Sequence, residues 1–133
     1  MAKFTTPLRL ALMLGIAGLP ACLAAAAAGA GAATGVYLTS RGAQSLVNGS
    51  VDQIAANAQS VMTAEGITST GRSTDNGGDT RELKGTKGDL DVDITINRKT
   101  PTTAQVEVTA RKNTLEWDKD YAKSVLGKIV AKS

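Results

Sequence analysis

The sequence predicts one small α+β domain: an antiparallel sheet of four to five strands, covered on one face by two helices, in the order β-α-β-β-β-β-α. Three observations predict it. Val51, Ile54, Ala55, Ala58, Val61 and Met62 recur at helical spacing and form one apolar stripe. Leu90, Val92, Ile94 and Ile96 alternate with Asp91, Asp93, Thr95 and Asn97. Ala104, Val106, Val108 and Ala110 do the same with Gln105, Glu107, Thr109 and Arg111, the period of strands that keep one face in water. Trp117, Tyr121, Val125, Leu126, Ile129 and Val130 then share one face of a second helix. An apolar sheet face needs a cover, and two amphipathic helices supply it.

Taken in order, Val36-Tyr37-Leu38-Thr39 opens the fold as a strand that continues past Gly42 to Leu46 through a bulge. Asn48-Gly49 turns the chain, and Ser50, with Gln53 three residues later, forms a capping box for the first helix. Gly66 ends that helix as a left-handed cap. A weak strand spans Ile67 to Ser73, Asp75-Asn76-Gly77-Gly78 turns, and a short strand runs from Arg81 to Gly85. Thr86-Lys87-Gly88 is the next turn, and Arg98 to Pro101 forms a loop between the two alternating strands. These short connections favour antiparallel neighbours. The terminal helix runs from about Glu116 to Ala131. Its early acids (Glu116, Asp118, Asp120) and late bases (Lys123, Lys128, Lys132) suit the helix dipole.

The N-terminal stretch reads as an address. Lys3 and Arg9 precede an uncharged apolar run from Leu10 to Leu19, the order of a secretory signal. Leu19-Pro20-Ala21-Cys22 then resembles a lipoprotein cleavage site, with Leu at −3, Ala at −1 and the chain's single cysteine to receive the diacylglycerol. Pro20 at −2 departs from the usual small or apolar residue. With one cysteine, an internal disulfide is excluded. Two alternatives stay open: cleavage within Ala24 to Ala28, giving a soluble periplasmic chain, or no cleavage, giving an inner-membrane anchor. The expected division is a signal peptide over residues 1–21, a lipidated cysteine and Ala/Gly tether over 22–35, and a periplasmic domain over 36–133. Gly31 and Gly35 have the spacing of a membrane-helix contact, but a flexible tether needs the same composition. Leu23 rather than Asp follows the cysteine, which permits export to the outer membrane with the domain facing the periplasm.

Composition excludes several classes of function. The chain carries 15 basic and 12 acidic residues. Lys3 and Arg9 leave with the signal, so 13 remain against 12, a net charge of +1. That gives no electrostatic footprint for nucleic acid. Tyr37, Trp117 and Tyr121 are the aromatics left, too few for a base-stacking platform. The chain contains no histidine, which removes the commonest general base and metal ligand.

Few constellations carry chemistry. Asp89, Asp91 and Asp93 imitate the opening of a calcium loop, but Ile94 and Thr100 stand where Gly and Glu are required. Asp91, Asp93 and Glu107 are expected on one sheet face, where they form either an acid–base pair or, with Arg98, Arg111 and Thr109, a solvated mixed-charge surface. Gly127-Lys128 lacks the rest of a phosphate loop. Trp117 and Tyr121 are candidate partner anchors, although a tryptophan at position 117 more often simply starts the apolar face of the last helix. No metal site, cofactor or catalytic residue is expected.

Over nearly its whole length the sequence resembles the small bacterial predicted lipoproteins of the DUF3568 family. The resemblance rests on the leader, the lipobox cysteine, the Gly/Ala run before Val36-Tyr37, the Ser50-Val51 helix start, the alternating strands, and the ending Val125-Leu126-Gly127-Lys128-Ile129. It implies place and shape and carries no activity. The element order is also similar to the helix-grip domains of envelope-assembly lipoproteins, an analogy of fold alone. The expected function is that of a non-enzymatic envelope lipoprotein, held to the membrane by the lipid on Cys22 and working through contacts with other envelope proteins. The alternative is a carrier of a small apolar ligand between sheet and helices, lined by Val61, Met62, Val92, Ile94, Val106, Leu126 and Ile129.

Overall fold

A computed structural model describes residues 35–133. The candidate residues Leu19, Pro20, Ala21 and Cys22, and the tether up to residue 34, lie outside the described residues. Among those described, seven strands form one antiparallel sheet. In chain order the strands are β1 (Val36–Leu38), β2 (Gly42–Asn48), β3 (Thr68–Asp75), β4 (Thr80–Lys87), β5 (Leu90–Thr100), β6 (Thr103–Lys112) and β7 (Glu116–Trp117). Helix α1 (Val51–Ala64) lies between β2 and β3, and α2 (Lys119–Lys132) ends the chain. The strands lie in the order β1-β2-β6-β5-β4-β3, and β7 pairs with β6. The mixed fold of two helices on one antiparallel sheet is the one the sequence predicts.

Cross-strand register builds the core. Ala43, Val108, Ile94 and Leu83 form one row across β2, β6, β5 and β4, and Ser45, Val106 and Ile96 form the next. All point to the helix side and are buried. Helix α1 lays Ile54, Ala58, Val61 and Met62 over this surface toward β4 and β5. Helix α2 lays Ala122, Val125, Leu126 and Ile129 over β2 and β6. At about 25 cal/mol per Å² of apolar surface, this shared burial is the main driving force for folding. Ser45 is the buried polar exception, and its Oγ donates to the Gly35 carbonyl at 2.6 Å.

The caps of α1 follow the sequence. Ser50 Oγ accepts from the Gln53 N–H at 3.1 Å. Gly66, at φ +73°, closes the other end: its N–H reaches the Thr63 carbonyl, and the Ile67 N–H reaches that of Met62 at 2.8 Å. This double closure delivers Ile67 into the core.

Several features differ from expectation, and one is that Thr86 and Lys87, expected in a turn, pair with Asp91 and Leu90 as the end of β4, leaving Gly88 and Asp89 as the turn. The first strand is two strands joined by a hairpin, because Thr39 Oγ1 accepts from the Arg41 and Gly42 N–H groups at 3.3 and 3.0 Å and stops the strand there. The order therefore begins β-β-α, and the sheet has seven strands instead of four or five. Arg98–Thr100, expected in a loop, belongs to β5, leaving Pro101 and Thr102 as the turn. The terminal helix starts at Lys119, not Glu116, because the Asp118 carboxylate accepts from the Tyr121 N–H at 2.9 Å and fixes the first turn there. Trp117 consequently sits in β7 opposite Arg111, off the helix face assigned to it.

Candidate functional site

The helices cover one face of the sheet and leave the other in solvent. Because side chains alternate along each strand, residues between the core positions all emerge on this outer face. Register sets them in rows. Thr86, Asp91, Arg111 and Trp117 form one row across β4, β5, β6 and β7. Lys84, Asp93 and Thr109 form the next, and Glu82, Thr95, Glu107, Gln44 and Tyr37 the one after. Asp91, Asp93 and Glu107 thus share a face as expected. They are not joined as a carboxylate pair, since their directly opposite neighbours on β6 or β5 are Arg111, Thr109 and Thr95 respectively.

Opposite charges interleave on this face. Arg111 Nη2 lies 3.8 Å from Asp91 Oδ2, and Lys84 Nζ lies 3.2 Å from Glu82 Oε1. The hydrogen bond from Lys84 to Glu82, helped by the charges of Glu82 and Asp93, raises the Lys84 pKa. Asp93 stands half-buried among its neighbours. That burial raises its carboxyl above the ordinary value; Glu82 and Asp91 push the same way, and Lys84 and Arg111 oppose.

Trp117 closes one end of the face. The guanidiniums of Arg41 and Arg111 each lie 5.7 Å from its ring centroid, a distance at which a cation is attracted to an aromatic face. Arg111 therefore links the indole to Asp91. Nothing in the linear pattern marks Arg41; it reaches the ring because the hairpin at Thr39 folds it toward β7. At the other end, Tyr37 and Leu46 are 57% and 41% exposed and give this corner an apolar surface. Gln105 Nε2 donates to Gln44 Oε1 at 3.0 Å between them.

Tyr121, the second candidate anchor, is placed elsewhere. It sits on the first turn of α2, packed against the core, with Lys87 Nζ 5.2 Å from its ring centroid. Its hydroxyl is buried and has no hydrogen-bond partner among the described residues. The two aromatics therefore do not form one site. The seven side chains considered for a ligand space are members of a single packed core cluster, each at most 2% exposed. Among the described residues, no group of three or more His, Cys, Asp or Glu side chains converges as metal ligands, and Asp89, Asp91 and Asp93 do not gather. No described helix is long and apolar enough to cross a membrane.

Compared with known proteins, the chain matches no family model. No curated protein matches it either.

Proposed function

We propose that the chain is a lipid-anchored protein of the bacterial envelope, of the kind its resemblance to the DUF3568 lipoproteins implies, and that it works by protein contact and not by catalysis. The anchor is the lipid on Cys22, after cleavage at Leu19-Pro20-Ala21, and the domain faces the periplasm from the outer membrane. The observation that carries the contact role is the asymmetry of the sheet. One face is a closed apolar core; the other is a broad, uncovered surface of interleaved charge, ending in a tryptophan with two arginines 5.7 Å from its ring centroid. Aromatic and arginine side chains dominate the energetics of protein interfaces, and a mixed-charge surround favours specificity over indiscriminate adhesion. The absence of histidine from the sequence supports a non-catalytic reading.

Two measurements test the proposal. Intact mass of the membrane-extracted protein should show a chain beginning at Cys22 with acyl groups attached, and a larger precursor when the lipoprotein signal peptidase is inhibited. An unmodified chain starting among the alanines removes the anchor. Photo-crosslinking in cells, with the reactive group at Thr109 on the outer face, should capture a defined envelope protein. The same group at Lys123, exposed on α2, should not. Equal capture from both positions removes the role of the outer face.

A further inference from the structure

On the helix side, near the β3 edge, a cleft lies between α1 and the strands β3 and β4. The helix turns its small residues there, Ala55 and Ala56, between Asp52 and Gln59, and the cleft, of about 230 Å³, opens below them. Its floor carries two arginines from adjacent strands, Arg72 of β3 and Arg81 of β4. Core-facing positions on the neighbouring strands are apolar, so two guanidiniums here depart from the pattern that builds the rest of this face.

Their hydrogen bonding is incomplete. A guanidinium presents five N–H donors and no acceptor. Arg81 is paired with Asp52, while its Nε is buried and has no partner among the described residues. Arg72 forms no ion pair among the described residues; its Nη1 donates to the neutral Gln59 Oε1 at 3.1 Å. Two cations and one carboxylate leave the cleft with a single positive charge and a surplus of donors. The Arg81 Nε is the one buried donor of the cleft without an acceptor among the described residues, whereas Arg72 is exposed and keeps N–H donors that no protein acceptor occupies, so an entering oxyanion meets little competition from the protein's own groups there.

We propose that this cleft is a binding site for a carboxylate monoanion. The planar fork of a guanidinium matches the two oxygens of a carboxylate. The residual charge of +1 balances one carboxylate, whereas a phosphate dianion would leave excess negative charge beside Asp52. The cleft admits a group of a few heavy atoms, as a small organic acid or the C-terminus of a peptide would present. The site lies on the opposite face of the sheet from Trp117 and does not depend on the contact role proposed above.

The test titrates the full chain, in detergent, with N-acetyl-alanine, its amide and inorganic phosphate, following the Ala55 and Ala56 methyl signals and the Arg72 Nε–H signal by NMR. N-acetyl-alanine should move these signals saturably at millimolar concentration, and the amide should leave them in place. Arg72→Gln should weaken the methyl response about tenfold, the equivalent of one charge-assisted hydrogen bond, and Arg81→Lys should act in the same direction. Phosphate should bind more weakly than the carboxylate. A peptide with a free C-terminal alanine separates the two sources: tighter binding than N-acetyl-alanine assigns the site to a chain terminus, and equal binding assigns it to a free acid. The proposal is overturned by any of three results: no saturable shift, an equal response to the amide, or phosphate binding as tight as the carboxylate. Unchanged affinity in both arginine variants, with the remaining methyl spectrum intact, would overturn it as well.

Discussion

The same strands present two faces with opposite physical logic. On the helix side, Ile94 sits between Leu83 and Val108 and is closed over by helices; its neighbour Thr95 sits between Glu82 and Glu107 in water. One residue of displacement along β5 separates a packed core from a hydrated surface, because strand side chains alternate with period two. The helix face is constrained by volume, since every position must fill space left by its neighbours. The outer face is constrained by charge order and by Trp117, and it tolerates a change of shape. Function that requires an available surface therefore falls to the outer face and to the cleft beside Ala55 and Ala56, where the helix side does not close.

The largest expected effect breaks the comparison at its centre. Ile94→Ala should cost roughly 3 kcal/mol in urea unfolding, because a fully buried β-branched side chain leaves a cavity that the surrounding rows cannot collapse into. Thr95→Ala, one residue away, should change stability by no more than about 0.5 kcal/mol. Both are read from the fluorescence of the single tryptophan. Similar losses at the two positions would mean that the outer face is packed against something.

Gly85→Ala comes next. Gly85 is a core-side position of β4 where α1 approaches closely: an added Cβ would lie 2.5 Å from Ile67 Cγ2 and 2.7 Å from Met62 Cε. Overpacking of this kind costs about 1–3 kcal/mol, and the same unfolding assay should show it. A neutral result would show that the Ile67 and Met62 side chains and the Thr68 carbonyl, 2.8 Å from the added Cβ, all give way. Below this lies Asp118→Ala, which should cost about 1 kcal/mol by removing the acceptor for the Tyr121 N–H at the start of α2. The loss should be accompanied by reduced helical ellipticity and leave the pairing of β7 in place.

Asp118 also shows where the sequence was legible and where it was not. The periodic elements could be read because packing and pattern agree: the α1 stripe, the alternations of β5 and β6, and the later part of α2 each bury the residues their periods select. The junctions could not, because they turn on single side-chain acceptors. Thr39 Oγ1 ends β1, and the Asp118 carboxylate moves the start of α2 past Trp117. Hydropathy is blind to both. The outer-face carboxylates were visible as an alternation, whereas the approach of Arg41 to Trp117 depends on the hairpin. The cleft was hidden more thoroughly, since Arg72 and Arg81 come from strands whose weak patterns hold no amphipathic signal.

The smallest effect concerns Asp93 and has the opposite sign from the others. Burial raises its pKa from the ordinary aspartate value, 3.8, so the native state holds this proton more tightly than the unfolded chain does. Its contribution to stability is fully present below the unfolded value and is lost as pH rises through the raised native one. Asp93→Asn cannot ionise and should remove that part of the pH dependence. At neutral pH the variant should be slightly more stable than the parent, by up to about 0.5 kcal/mol. Below the ordinary aspartate value the two should converge. The comparison of faces is sharpened by this result, because it locates an electrostatic cost of the outer surface at one carboxylate. A variant less stable than the parent at neutral pH would reverse the assignment. Attraction from Lys84 and Arg111 would then outweigh the loss of hydration, and Asp93 would belong to the charges that hold the face together.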